Sequence, residues 1–148
     1  MRKALIGAPA LIAIALSLCF SAGAAAKAKT TVHIRTTLIG AQVSPGENVY
    51  DVQGRNRGAA IQFPKANAAG TGGTYTSTAY FSGGTVVSVG RYTNTAPDAN
   101  GIVTIHATGR WVRGTGLYKH ISGKFTGSGT LNTKNGHLKI VLVGTQTY

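Results

Sequence analysis

Apolar side chains recur at every second position along this chain from about Thr31 onward. The segment 74–81 shows the pattern clearly, since Tyr75 and Phe81 fall on one face while Tyr80 falls among threonines on the other. Successive side chains of a β-strand point to opposite faces, whereas a helix repeats about every 3.6 residues. The alternation therefore predicts an all-β fold with no helix long enough to connect parallel strands.

Turn-forming residues divide this alternating pattern into about eight strands. Gly83-Gly84 and Asn135-Gly136 have the composition of two-residue hairpin turns, and Pro64 is expected to end a strand. Short connections of this kind join sequential antiparallel neighbours. The expected strands are 31–38, 49–52, a strand through Ile61 and Phe63, 74–81, 85–92, 102–111, 124–131 and 138–143.

Antiparallel strands in this number close into an eight-stranded up-and-down β-barrel, which leaves no sheet edge exposed. The 21 glycines of the chain fit this architecture, because strands bend more readily where no side chain is present. A β-sandwich is the alternative. The small, glycine-rich segment 66–73 is expected to form a mobile loop at one end of the domain, where it could act as a lid.

The first 26 residues have the order of a secretory signal peptide. Arg2 and Lys3 precede an apolar run over 4–20, and small residues fill 21–26. We expect cleavage before Lys27, and a single β-barrel domain of residues 27–148 that is secreted or extracytoplasmic. A membrane anchor and a lipid on Cys19 are the alternatives. Cys19 is the only cysteine, so the exported chain would form no disulfide.

The chain is strongly basic, with 15 lysines and arginines against 3 acids. Such a surface attracts anionic partners, here an envelope polymer or lipid headgroups. The cations are scattered, with no run of five or six. The alternative is therefore that the positive surface charge only keeps a secreted domain soluble. Nothing indicates specific nucleic-acid binding. The three acids, Glu47, Asp51 and Asp98, are too few and too separated to favour a paired-carboxylate glycosidase.

The residue types needed for metal or nucleophilic chemistry are present without their usual spacing. His33, His106, His120 and His137 include no closely spaced pair, so we expect surface histidines, no metal and no cofactor. No serine lies in a Gly-x-Ser-x-Gly elbow. The glycines around Thr115 lack the Gly-Lys-Ser continuation of a phosphate loop.

Aromatic residues on or beside the expected strands are interleaved with cations. Aromatic rings beside positive charges can stack on bases or sugars while the charges hold phosphate or carboxylate groups, although aromatic rings also fill barrel cores. Arg55, Arg57, Arg110, Arg113 and Lys119 are expected to form a basic rim around a cavity. The candidate ligand-binding residues are Tyr75, Tyr80, Tyr92, Trp111, Tyr118, Arg110, Arg113 and Lys119.

The C-terminal third carries a recognisable order of motifs. The run Gly114-Thr115-Gly116-Leu117-Tyr118 is followed by a glycine-punctuated segment over 121–130, and then by the Asn135-Gly136 turn and a closing strand. Over residues 102–148 this order resembles bacterial proteins related to the allene oxide cyclase and dirigent barrels. The resemblance implies an eight-stranded antiparallel barrel, often a homo-oligomer in plants, whose interior holds a small hydrophobic molecule.

In that family, plant cyclases steer the ring closure of a fatty-acid epoxide, and dirigent proteins orient phenoxy radicals. No plant-type catalytic motif matches this sequence residue by residue. One hypothesis is a secreted noncatalytic barrel that binds a small apolar ligand, in a cavity lined by Val, Ile, Phe and Tyr, or an anionic envelope component. The other is a cyclase or isomerase for a hydrophobic substrate, with Glu47 and Asp51 near the barrel mouth as its acids. A solid structural barrel would have no cavity.

Overall fold

A computed structural model describes residues 29–148 of the chain, and the expected signal peptide with its cleavage site lies outside them. Within that range, no helix combines the length and apolar character needed to cross a bilayer. The elements in chain order are β1 (Thr31–Ser44), β2 (Glu47–Gly54), β3 (Gly58–Ala66), β4 (Gly72–Phe81), β5 (Gly84–Asn94), β6 (Ile102–Gly114), the short 3-10 helix η1 (Gly116–Tyr118), β7 (Lys124–Asn132) and β8 (His137–Thr147).

The eight strands form a closed barrel in which each strand pairs antiparallel with the next. β1 closes the ring by pairing with β8, from Thr31 opposite Thr147 to Ala41 opposite His137. This continuous ladder confirms the predicted up-and-down barrel. It excludes the sandwich, because a sandwich would leave two separate sheets with edges.

Most strands are longer than the sequence pattern predicts. β1 reaches Ser44 instead of ending near Leu38. Its later part includes Gly40, which pairs with Tyr50 of β2 on one side and with Leu138 of β8 on the other. Hydrogen-bonded neighbours on both sides hold glycine and polar residues in the extended conformation, so tertiary pairing overrides their low strand preference.

Pro64 does not end β3, which continues to Ala66. The β2–β3 pairing stops at Asn48 opposite Gln62, whereas β3 pairs with β4 as far as Ala66. Near Pro64 the strand therefore has a neighbour on one side only. A residue without an N–H is tolerated at such an edge.

The β4–β5 turn is Ser82-Gly83 rather than the expected Gly83-Gly84. Phe81 pairs with Gly84, which leaves only the two residues between them outside the ladder. The last hairpin contains the predicted Asn135-Gly136 pair, but its connection is the four residues 133–136 between β7 and β8 rather than two.

As the alternation predicts, successive side chains along a strand point in turn into the barrel and onto its outer wall. Tyr75 is 6% exposed and Phe81 packs against the main core cluster, whereas Tyr80 is 48% exposed on the outside. The buried members of this cluster come from most of the strands and fill the middle of the barrel. They are Leu38, Tyr50, Val52, Ala60, Tyr75, Phe125, Leu138, Ile140 and Leu142.

The two ends of the barrel carry different connections. The end that we call the open end carries the β1–β2, β3–β4, β5–β6 and β7–β8 turns. The other, which we call the plugged end, carries the β2–β3 and β4–β5 turns, the connection between β6 and β7, and the two termini of the barrel.

The connection between β6 and β7 folds across the plugged end. Tyr118 of η1 and Ile121 are buried there against Val86, and the Tyr118 ring lies 5.4 Å from the Phe81 ring. Gly116 begins the helix with φ of 56°, a left-handed conformation that glycine adopts without a steric penalty. The Gly-Thr-Gly-x-Tyr segment therefore builds a structural cap.

Candidate functional site

The barrel interior contains two chambers, and no residue lines both. The larger one, the open chamber, has a volume of about 100 Å³. The smaller one, the inner chamber, has about 50 Å³ and lies toward the plugged end, among residues such as Val86, Trp111 and Gln146. The open chamber is lined by Gln42, Asn48, Tyr50, Gln62, Pro64, Tyr75, Tyr92, Asn94, Ile105, Ala107, Leu131, Leu138 and Ile140.

Two glycines position Tyr75 in the wall of the open chamber. Gly90 and Gly109 are cross-strand partners on β5 and β6. A Cβ atom on either glycine would collide with the Tyr75 phenol, and one on Gly109 would also meet the Phe125 ring. The Tyr75 hydroxyl donates to the Thr108 carbonyl at 3.4 Å. The missing side chains thus make room for an aromatic ring inside the barrel.

An amide network occupies the β2–β3 side of the open chamber. The Asn48 Nδ2 donates to Gln62 Oε1 at 3.0 Å, and the Tyr50 hydroxyl donates to the same oxygen at 3.0 Å. Asn48 and Tyr50 are two apart on β2 and therefore share a face, and Gln62 is the cross-strand partner of Asn48. The three side chains fix one another inside the chamber.

Two carbonyl oxygens of this chamber have no hydrogen-bond partner among residues 29–148. They are the Oδ1 atoms of Asn48 and Asn94, and both are fully shielded by the surrounding protein atoms. Asn48 as a whole is only 7% exposed. A buried acceptor without a donor costs about 1–3 kcal/mol. A polar chamber of this size holds water, and a small rotation of either amide would bring its oxygen into contact with that water or with a ligand group.

The open chamber is uncharged. Its only ionisable side chains are the phenols of Tyr50, Tyr75 and Tyr92, and burial raises the pKa of all three above the ordinary value. These phenols therefore stay protonated at neutral pH. General acid or base catalysis is most effective when the pKa lies near the working pH, so these groups are poorly suited to it.

The structure separates the aromatic residues that the sequence grouped together. Tyr75 and Tyr92 line the open chamber. Tyr118 is buried in the plug, and Trp111 packs against Phe125 with ring centroids 4.4 Å apart. Tyr80 lies on the outer wall, in a shallow depression that also includes Arg113. The predicted cluster of aromatic and cationic residues is therefore not a single site.

The expected basic rim does not surround the open chamber. Arg55 and Arg57 lie in the β2–β3 turn, Arg113 lies near the end of β6, and Lys119 follows η1. These four cations belong to the plugged end, and Arg110 lies on the outer wall. Turn positions and alternation predicted that the cations would be exposed, but barrel closure decides at which end they gather.

The two acids considered for a cyclase do not enter the open chamber. Asp51 is exposed on the outer wall of β2, where its Oδ2 accepts a hydrogen bond from Gln53 Nε2 at 2.7 Å. The expectation that it lies near the barrel mouth is wrong. Glu47 begins β2 at the open end, but it precedes Asn48 and so falls on the opposite face of the strand.

His33, His106, His120 and His137 are all exposed. In the part of the chain that the structure describes, no three His, Cys, Asp or Glu side chains form a group that could hold a metal ion.

The predicted lid corresponds to residues 67–71, between β3 and β4 at the open end. Asn67 Oδ1 accepts the Thr71 N–H at 3.1 Å, and the Thr71 carbonyl accepts the Asn94 N–H at 2.9 Å. The loop is thus joined to a strand that lines the open chamber. Its role as a lid stays a prediction.

Sequence reasoning missed the amides of the open chamber. Asn48 and Gln62 were passed over because polar residues in an alternating pattern suggest the solvent face. One signal was available, since Asn48 lies in phase with Tyr50 and Val52, which are both core residues.

None of the family models, curated proteins or solved structures compared with the chain matches it.

Proposed function

We propose that this protein is a secreted, noncatalytic β-barrel that binds one small, largely apolar ligand in the open chamber. The ligand would be uncharged and would carry a hydroxyl or N–H group. The observation that carries this proposal is the unpartnered Oδ1 of Asn48, a buried acceptor on a residue that lines a chamber with no charged side chain. The resemblance of residues 102–148 to cyclase and dirigent barrels supports it, because those barrels enclose small hydrophobic molecules.

The walls of the open chamber favour a ligand with an apolar body. Ile105, Leu131, Leu138 and Ile140 supply aliphatic surface, and the tyrosine rings supply flat faces for packing. The volume of about 100 Å³ is below the roughly 300 Å³ at the lower end of drug-sized sites. The chamber therefore suits a single ring or a short branched chain, and any larger part of the ligand would extend past exposed Gln42 into solvent.

Matching the ligand to the amides would determine its affinity. A ligand hydroxyl that reaches Asn48 or Asn94 would replace a buried unpaired acceptor with a hydrogen bond, which contributes about 1 kcal/mol or more. A carboxylate or ammonium group would lose its hydration without gaining a counterion, so it is disfavoured. The site thus disfavours charged ligands and favours ligands that carry a hydrogen-bond donor.

The second candidate is a cyclase or isomerase of the allene oxide cyclase type. The resemblance supports it, but Glu47 and Asp51, the acids that it would use, are not among the residues of the chamber. The remaining polar groups could orient a hydrophobic substrate, as a positioning enzyme requires. We rank it below binding, because the tyrosine phenols are held in their neutral form.

Side-chain amide resonances report this site directly. In ¹⁵N-labelled protein of residues 27–148, we expect phenol to shift the NH₂ signals of Asn48, Gln62 and Asn94. Anisole accepts hydrogen bonds but cannot donate one, and benzene does neither, so both should bind about tenfold more weakly. Benzoate should not bind.

The matched variants are Asn48→Leu in the open chamber and Gln146→Leu in the inner chamber, since both remove a buried amide. Asn48→Leu should abolish the preference for phenol over anisole, and Gln146→Leu should retain it. Equal binding of phenol and anisole by the unmodified protein would contradict the proposal. Binding of benzoate would contradict the neutral character of the site.

A further inference from the structure

Two cations lie directly opposite each other on the outer wall of the barrel. Arg110 of β6 is the cross-strand partner of Lys124 of β7, and both side chains are exposed. Arg91 of β5 is opposite Thr108, two residues from Arg110 on the same face of β6. Like charges placed directly opposite each other destabilise a sheet. The free protein thus carries an arrangement that an anion would relieve.

These cations border a depression in the wall. Arg91, Arg110 and Lys124 line a shallow surface cavity of about 610 Å³, which is open to solvent. Gly90, Gly109 and Tyr75 also line it, and the missing glycine side chains make room for the Tyr75 ring. The remaining border includes the hydroxyl-bearing side chains of Thr74, Thr76 and Thr108.

The acids of the described chain lie away from this depression. Glu47 and Asp51 belong to β2, which is four strands from β6 in the eight-stranded ring. Asp98 lies in the β5–β6 turn at the open end, where its Oδ1 accepts the N–H groups of Asn100 and Ile102. The positive field at the depression is therefore not offset by a neighbouring carboxylate within residues 29–148.

We infer that this depression, which we call the cationic depression, binds phosphate groups of a flexible polyanionic chain. Guanidinium groups form paired hydrogen bonds with phosphate oxygens, and an ammonium group adds a compact charge. Threonine hydroxyls can donate to the remaining oxygens. The site shares Tyr75 with the open chamber, but none of its cations lines that chamber, so this inference does not rest on the proposal for the chamber.

The surroundings favour a hydrated polymer over a lipid surface. A membrane-binding face combines cations with apolar side chains that enter the bilayer. Here threonines lie between the cations, and none of the strongly exposed apolar residues of the described chain lines the depression; the most exposed of them, Leu117 at 78%, lies at the plugged end. A concave depression also fits a chain more closely than it fits a flat membrane.

Binding of long-chain inorganic polyphosphate tests the inference. For the protein of residues 27–148, we expect an affinity that falls steeply with salt, because bound counterions are released. The double variant Arg110→Gln, Lys124→Gln should bind at least tenfold more weakly at low salt. The slope of log affinity against log salt concentration should fall by about one for each removed cation.

The control double variant, Lys134→Gln, Lys139→Gln, removes the same charge from residues that do not line the cationic depression. Its affinity should fall no more than about twofold. Equal losses in the two double variants would overturn the inference in favour of a diffuse field. Binding to phosphatidylglycerol vesicles without binding to polyphosphate would overturn it in favour of a membrane surface. Phenol binding in the open chamber should be unchanged in both variants, which separates this test from that of the proposed function.

Discussion

The open and plugged ends of this barrel are built from the same strands, yet their interiors are organised differently. At the plugged end, Tyr118, Ile121 and Val86 form an apolar cluster, which Phe81, Trp111 and Tyr148 extend. Toward the open end, the amides of Asn48, Gln62 and Asn94 replace much of this apolar packing. Hydrophobic burial stabilises the first region, while the second keeps acceptors without partners.

This difference separates the region that stabilises the barrel from the chamber that we propose to bind a ligand. A buried aromatic cluster contributes stability through buried area and ring contacts. An unpartnered buried oxygen lowers the stability of the folded protein. Natural proteins often give up stability in this way at functional sites. The difference predicts that substitutions at the two ends will have separable effects.

The largest effect is expected at the plug. Tyr118→Ala removes a ring that is 8% exposed and lies 6.3 Å from the Tyr148 ring. We expect a loss of about 3–5 kcal/mol in the free energy of unfolding, since truncating a buried aromatic residue leaves a cavity. Chemical denaturation measures this change. The neighbouring Leu117→Ala, at a residue 78% exposed, should change stability by less than about 0.5 kcal/mol.

Phenol binding by Tyr118→Ala tests whether the plugged end affects the open chamber. If the plug is purely structural, the folded fraction of Tyr118→Ala should bind phenol with the affinity of the unmodified protein. A selective loss of binding in this variant, without a comparable loss of stability, would mean that the two ends are not independent.

An intermediate effect is expected at high pH, and it originates in the open half. Burial raises the pKa of Tyr50 and Tyr75 well above the ordinary value of 10.0. Above pH 10 the unfolded chain releases protons from these phenols while the folded chain retains them, so stability falls as pH rises. Each phenol contributes about 1.4 kcal/mol per pH unit in this range.

Denaturation at pH 9, 10, 11 and 12 measures that slope. Tyr50→Phe should remove one phenol's contribution and flatten the curve above pH 10. Tyr80→Phe, at a residue 48% exposed on the outer wall, is the matched control and should leave the slope unchanged. If the two variants gave the same slope, burial of Tyr50 would not be the cause.

The smallest effect is expected at the amides. Asn48→Leu removes an unpartnered buried oxygen and leaves the hydrogen bond from Tyr50 to Gln62 in place. We expect the free energy of unfolding to rise by about 1 kcal/mol, because the penalty of about 1–3 kcal/mol for an unsatisfied acceptor exceeds the contribution of the lost Asn48–Gln62 hydrogen bond. Gln146→Leu, whose residue has no comparable unpartnered atom among those described, should not share this gain. A clear loss of stability in Asn48→Leu would show that its amide is structural.

Much of the fold could be predicted from the sequence because it depends on local alternation. The opposite faces of Tyr75 and Tyr80, and the Asn135-Gly136 turn, follow from side-chain period and turn chemistry. The extension of β3 through Pro64 could not be predicted in this way. It depends on where the neighbouring strand stops pairing.

The candidate site was harder to predict, because barrel closure brings together residues from distant strands. Asn48 and Gln62 meet across β2 and β3, and Asn94 reaches the same chamber from β5. Tyr75 and Tyr92 were identified as ligand-binding candidates, while the cations grouped with them lie outside the open chamber. The sequence predicted that these cations are exposed. It did not predict which face of each strand points into the barrel.

Native mass spectrometry of the protein recovered from the culture medium of its own host tests the division between the two ends most directly. The unmodified protein should carry one small, uncharged molecule per chain, and denaturing extraction should release it. Gln146→Leu should retain that molecule at the same occupancy, and Asn48→Leu should carry much less of it. Recovery of the unmodified protein without any ligand, or of Asn48→Leu with its ligand intact, would contradict the assignment of the open chamber as the binding site.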